Sequence, residues 1–250
     1  MTPRRVFGLA LGVAFALGAS GRGQEASPGP ADAVRLADEL FSEGRDPARD
    51  REALTVLEAA GSASDDYDLL WRQVRVAHQV AQNAAEDERR KLLETAIGRG
   101  ERAVRLQPSR VEGHYWLGAC YGSYAEARGG FKAWRLASKL RTEMETAVRL
   151  QPDFEGGDAF LALGELDLQL PGLFGGSRSR AIARMEEGLK VSPGNLELRL
   201  TLARGYQQDG RRADARRLLE TVVAWPVDPA HPNAGADLRR RAQRELDQLK

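Results

Sequence analysis

Ala103-Val104-Arg105-Leu106-Gln107-Pro108 returns further along the chain as Ala147-Val148-Arg149-Leu150-Gln151-Pro152, and weaker echoes end at Pro193 and Pro226. Counting back 5, 8 and 12 positions from the first three prolines gives Ala103, Gly100 and Ala96, then Ala147, Met144 and Leu140, then Gly188, Met185 and Ala181. These offsets share one face of a helix, and small residues there let a neighbouring helix come close. Each proline ends its helix, because it lacks an N–H and its ring disfavours helical backbone in the residue before it. The rest of the chain shows no useful strand-like alternation, and its apolar positions follow a 3.6-residue period. The sequence predicts an all-α protein with internal repeats.

A second helix precedes each of these. Leu117-Gly118-x-x-Tyr121, Leu163-Gly164-x-x-Asp167 and Leu202-Ala203-x-x-Tyr206 share one pattern. Followed by alanine, an apolar residue, alanine and proline, it resembles the tetratricopeptide repeat (TPR). The match is strongest over 198–226, where Leu202, Ala203, Tyr206, Ala215, Leu219 and Val222 take the usual spacings and Pro226 comes one residue early. Trp71, Val74 and His78 begin a weaker pair, and 33–60 is a degenerate one. The resemblance implies a right-handed superhelical solenoid of about five helix pairs over residues 32–250. An amphipathic helix near 236–249 caps the last apolar face, which a solenoid would otherwise expose.

Three repeats depart from the standard spacing. Tyr206 to Ala215 is 9 positions, as a TPR requires, whereas His78 to Ala96 is 18, Tyr121 to Leu140 is 19 and Asp167 to Ala181 is 14. All three surpluses fall at the turn inside a pair, so stacking brings them to one edge of the solenoid. The first two could equally be longer helices, since 87–106 reads as one helix. The third cannot be helical throughout, because Leu170-Pro171-Gly172-Leu173-Phe174-Gly175-Gly176-Ser177 holds a proline and three glycines. Ser177 is placed to cap a helix over 178–191, and Leu173 and Phe174 are expected to tuck against neighbouring helices. Gly175 and Gly176 at that helix start invite comparison with an anion site, but no phosphate-loop motif accompanies them.

Leu69-Leu70-Trp71-Arg72, Tyr115-Trp116-Leu117-Gly118 and the 170–177 segment together look like one helical-repeat family. It includes the T-component proteins of tripartite ATP-independent periplasmic (TRAP) transporters and is similar to eukaryotic regulators of microtubule dynamics. The resemblance spans roughly 65–226. It implies a periplasmic solenoid that binds a protein, such as a transporter's substrate-binding component, or else carries an apolar or amphiphilic small molecule. The chain departs from lipoprotein members in having no cysteine after its apolar N-terminal run.

That run suggests export. Arg4 and Arg5 precede the uncharged stretch 6–19, which as a helix spans about 21 Å, short of the roughly 30 Å hydrocarbon core of a bilayer. A signal peptide over 1–22 and a Gly/Pro/Ser-rich linker over 23–31 are expected, which makes the protein periplasmic or secreted. Membrane contact would then come only through an uncleaved N-terminus. Over the whole chain 37 Lys and Arg face 36 Asp and Glu. Removing Arg4, Arg5 and Arg22 leaves a near-neutral body and no electrostatic reason to bind nucleic acid. A single cysteine excludes a disulfide framework.

No catalytic or metal-ligating pattern appears around the three histidines, and no cofactor is implied. His78 and His114 hold repeat core positions, and Cys120 reads as a buried thiol. The chain is read as no enzyme. Partner binding is assigned to the concave surface, lined by the first helix of each pair. Stepping along the motif places there Arg72 and Val76; Tyr115 and Ala119; Leu161, Glu165 and Leu168; and Leu200, Arg204 and Gln207. Apolar side chains interspersed with charges suit a peptide segment or an amphiphile. An enclosed cavity lined by Leu161, Leu168 and Leu200 would favour a carrier, and an open groove an adaptor.

Overall fold

The computed structural model describes residues 29–43, 46–61, 65–128, 130–226 and 235–249. The expected signal peptide, most of the linker and His231 lie outside these residues. The described chain is all helical: α1 (Pro30–Leu40), α2 (Pro47–Ala59), α3 (Tyr67–Gln82), α4 (Glu86–Leu106), α5 (Val111–Arg128), α6 (Gly130–Leu150), α7 (Asp158–Gln169), α8 (Arg178–Val191), α9 (Leu196–Gln208), α10 (Arg212–Val223) and α11 (Ala236–Gln248). Each odd helix from α1 to α9 pairs with the even one after it, and each pair packs on the next. That gives the five expected helix pairs, with α11 closing the last one.

Local chemistry sets the boundaries. Asp46, Asp66, Ser177 and Asn195 each accept hydrogen bonds from N–H groups in the first turn of the following helix, satisfying donors that have no partner inside it. Within a pair the register read from the prolines is the packing register. A Cβ on Gly118 would sit 3.0 Å from Met144 Cε, and one on Gly164 would sit 2.6 Å from Met185 Cγ. The glycine of the first helix thus receives the methionine eight positions before the closing proline of the second. Buried residues form an N-terminal cluster around Leu57, Leu69 and Leu93, a central one around Leu117 and Leu163, and a C-terminal one around Leu198 and Leu219.

The first two surplus segments are absorbed as helix. Both α4 and α6 run to 21 residues and α5 to 18. The third is a loop with a single 3-10 turn, Gly172–Phe174, and Ser177 caps α8 as expected. Leu173 and Phe174 do not tuck in: they are 90% and 47% exposed. The reason is a clamp beneath them. Arg141 and Arg180 both bind the buried Asp167 carboxylate at 2.6 Å, and both also donate to the Gly175 carbonyl. Ser177 N–H donates to the Asp167 carbonyl at 3.0 Å. With both ends of the loop held this way, its tip points outward. The Asp167 carboxylate beside the first turn of α8 is held by the side chains of Arg141 and Arg180, and the two glycines serve the turn.

Candidate functional site

The stacking is uneven in one place. Among first helices, α1 packs on α3, α3 on α5 and α7 on α9, whereas α5 and α7 stand apart. The connection before α7 explains the gap. From the repeat proline to the next motif leucine is nine positions for Pro108–Leu117 and for Pro193–Leu202, but 11 for Pro152–Leu163. The surplus forms a 3-10 turn, Phe154–Gly157, in which Glu155, Gly156 and Gly157 take φ of 47°, 64° and 79°. Phe154 lies edge-on against Tyr115 of α5, with ring centroids 5.3 Å apart. This wedge at the head of α7 holds it away from α5.

The gap is a cleft of about 800 Å³. One wall is a single face of α5, running from Tyr115 through Ala119 and Gly122 to Ser123 and Glu126. The opposite wall is a single face of α7, from Asp158 through Leu161 and Ala162 to Glu165 and Gln169. The floor is Ala137, Leu140 and Met144 of α6, and the rim is Leu170, Pro171 and Phe174 of the clamped loop. Ser123 and Glu126 lie beyond Tyr121, in the part of α5 that the second surplus segment lengthens. Two of the surplus segments therefore border the cleft, one as a longer helix and the other as the loop at its rim.

His78 of α3 closes the near end. Its Nε2 lies 3.1 Å from Ser123 Oγ and 3.2 Å from Gln82 Nε2. Burial, helped by Arg89, pushes its pKa down to about 4, so the ring is neutral at pH 7. On the acidic side, burial and the charge of Glu197 raise the Glu165 carboxyl above the usual range. Asp158 is also raised by burial, against the stabilising 2.7 Å bond from Asn195 Nδ2. Cys120 is fully buried, and burial pushes its thiol far up, away from nucleophilic character. Among the described residues no group of His, Cys, Asp and Glu is gathered as a metal site, and no helix is long and apolar enough to cross a membrane.

Of the ten residues assigned to the concave surface, Tyr115, Ala119, Leu161 and Glu165 line this cleft. The other six belong elsewhere. Val76 and Leu200 are fully buried in the end cores, and Leu168 packs against the C-terminal one. Arg72 pairs with Asp38 of α1 at 2.8 Å and with Asp68, and Arg204 pairs with Glu245 of α11 at 2.7 Å. Gln207 is half-buried on α9. The physical cause is that these positions face joints between packed helices: α1 packs on α3 and α11 on α10 and α9, and acids of α1 and α11 take up Arg72 and Arg204. The cleft is lined by Leu161 but not by Leu168 or Leu200. Asp158, Glu126 and the α6 floor were missed, although continuing the α7 face back by one turn would have reached Asp158 and continuing the α5 face on by two turns would have reached Glu126.

Comparison with known proteins agrees with this architecture. Among solved structures, a thermophilic TPR protein of Thermus thermophilus superposes with a TM-score of 0.59 at 19% identity, covering 88% of this chain and 98% of that one. MamA superposes with a TM-score of 0.51 at 15% identity, covering 85% and 95%. These likenesses concern the fold. A tetratricopeptide-repeat family model matches residues 176–238. Regulator of microtubule dynamics protein 1 of Bos taurus is 28% identical over 123 residues, 48% of this chain, and its mouse (Mus musculus) counterpart is 27% identical over 118. The aligned part is only 37% of the length of each of these relatives. The family model described as regulator of microtubule dynamics protein 1-3 matches residues 33–161, from α1 through the wedge to the first turn of α7. On that match, which takes in the α5 wall and the α6 floor of the cleft, the chain belongs to the regulator of microtubule dynamics protein 1-3 family.

Proposed function

We propose that this protein is a scaffold that holds a segment of a protein partner in the cleft between α5 and α7. One observation carries the reading. The first helices α5 and α7 part where the others stack, and apolar side chains of α5, α6 and α7 line the cleft left between them. Apolar walls with a few polar groups are what a recognition site presents, and a groove between inner helices suits an extended or helical segment. The relatives are named for microtubule dynamics, and the shared part is the helical-repeat module. What carries across is therefore a mode of binding. The N-terminal Arg4-Arg5 and apolar run support an exported location, which would place the partner outside the cytoplasm.

The volume of the cleft favours a second reading, carriage of a small apolar or amphiphilic molecule, because pockets for such ligands span roughly 300–1,000 Å³. The TRAP-transporter resemblance points the same way. A photo-crosslinking residue at Ala162, compared with one at exposed Arg105 on α4, separates the two. The scaffold reading expects a discrete protein adduct at 162 that is absent at 105 and is lost when Ala119→Trp fills the cleft. Equal adducts at both positions would refute it. Native mass spectrometry showing a bound species of low mass, with no protein adduct, would establish the carrier instead.

A further inference from the structure

The cleft carries charge of one sign. Glu126 stands on the α5 wall and Asp158 and Glu165 on the α7 wall, and the described lining residues include no lysine or arginine. The lining histidine, His78, is neutral at pH 7. Glu165 is half-buried, and no described side chain donates to it or pairs with it. The cations that act on it from α9 and α11 are engaged elsewhere, Arg204 with Glu245 at 2.7 Å and Arg241 with Glu197 at 3.0 Å. Glu126 adds repulsion from across the cleft. Asp158 has only the neutral Asn195 amide.

Several other carboxylates are answered, and even Glu126 at the cleft is met by Arg89 of α4 at 3.3 Å. Asp38 is met by Arg72 and Arg75, Asp167 by Arg141 and Arg180, and Glu101 by Lys139. Leaving a half-buried carboxylate without a cation costs free energy in the empty protein, and a positively charged occupant recovers it. An acidic occupant would meet two like charges that have no cation, Asp158 and Glu165, in a site of reduced dielectric.

We infer that the segment received by the cleft is amphipathic and basic, its apolar side chains lying on Leu140, Met144 and Leu161 and an arginine or lysine reaching Glu165. The inference rests on the docking function proposed above and supplies the chemistry of the partner. Asp158 and Glu165 are seven residues apart on one helix face, about 10 Å along the axis. A second cation two helical turns from the first, or about three residues away in an extended strand, reaches Asp158. Phe174 closes over the apolar side at the rim.

Fluorescence anisotropy with three labelled synthetic peptides tests this. The peptides share one amphipathic leucine pattern and carry lysine, glutamine or glutamate at the polar positions. The lysine peptide is expected to bind about tenfold tighter than the glutamine peptide. Glu165→Gln should remove most of that advantage and leave the glutamine peptide unchanged, while Ala119→Trp, with Ala162→Trp as a second blocking variant, abolishes binding of both. Circular dichroism confirms that each variant is folded. If lysine and glutamine peptides bind equally and both are blocked by Ala119→Trp, the cleft docks segments but the charge inference is wrong. If the lysine peptide binds but ignores both Glu165→Gln and the blocking variants, it sits elsewhere, and the inference falls. If no peptide responds to the blocking variants, the docking function itself falls with it.

Discussion

Replacing Asp167 by asparagine removes the charge on which the clamped loop depends. The carboxylate is fully buried and receives Arg180 through Nε at 2.7 Å and Nη2 at 2.6 Å, and Arg141 at 2.6 Å. Breaking a buried pair from one side costs about 3–5 kcal/mol, because the remaining charge is left uncompensated. Here the arginines keep 21% and 41% of their side-chain surface, so water can take over part of the loss. The figure falls to about 2–3 kcal/mol. For a chain of this size that lowers the melting temperature by roughly 5–10 °C. Because each repeat touches only its neighbours, the loss should concentrate in α7 and α8. Amide exchange there should quicken more than in α3 and α4.

The pH dependence has a definite sign. Burial alone would raise the Asp167 pKa, but hydrogen bonds from Arg180 and Arg141 outweigh it and hold the carboxyl below the usual aspartate range. Such a group contributes stability that is present above the unfolded pKa, near 3.9, and is lost as pH falls through the lower folded value. The gap between wild type and Asp167→Asn should therefore be constant from pH 7 to about pH 5 and should close only in strong acid. Urea unfolding followed by far-UV circular dichroism at a series of pH values measures it. A variant within a degree or so of wild type at pH 7, or a gap that closes by pH 5, would refute the clamp as the element that holds the loop.

Two further outcomes follow from the same geometry. His114 faces acceptors at both ring nitrogens, Glu143 at 2.6 Å and the Pro108 carbonyl at 3.0 Å; burial opposes its charge, yet these bonds raise its pKa, so its contribution is complete below about pH 6.5 and is lost as pH rises through the folded value. Wild type should lose stability relative to His114→Gln on going from pH 6 to pH 9, and a difference that does not change with pH would show that the ring is not charged. Deleting Glu155 and Gly156 restores the nine-residue spacing and removes a non-glycine residue at φ 47°. The deletion should melt no lower than wild type and should lose the crosslink at Ala162; a retained crosslink would show that the wedge is not what opens the cleft.

Much of this architecture was legible in the sequence, and the reasons are specific. The repeat prolines, with Gly118, Gly164, Met144 and Met185 at fixed offsets, report backbone-close contacts that tolerate few alternatives, so helix pairing and register could be read directly. The site was half legible. Tyr115, Ala119, Leu161 and Glu165 follow from the helical period, but Val76 and Leu200 obey the same period and are fully buried, and Arg72 and Arg204 obey it and are ion-paired with α1 and α11. A rule for one repeat cannot say which of its positions a neighbouring helix takes up, because that depends on how the repeats stack. Leu173 failed for a different reason. Apolar residues go inside unless the backbone forbids it, and here the arginines on Asp167 fix a loop whose tip has nowhere inward to turn.

Three costly features lie on α7 and the turns at its two ends, and their cost argues that the opening is selected rather than incidental. Glu155 in left-handed backbone costs about 1–3 kcal/mol. Glu165 lies half-buried without a cation, and Leu173 stands in water on a loop that takes a buried ion cluster to hold. Any of these could be relieved locally: by glycine at 155, by glutamine at 165, by a polar residue at 173. None of those changes would disturb the helix pairs, since all three positions lie outside the buried clusters. Features that are destabilising, independently removable and confined to one helix and its flanking turns are expected where a sequence serves function at the expense of the fold. By that reasoning the functional part of this solenoid is the one joint where it departs from its own repeat.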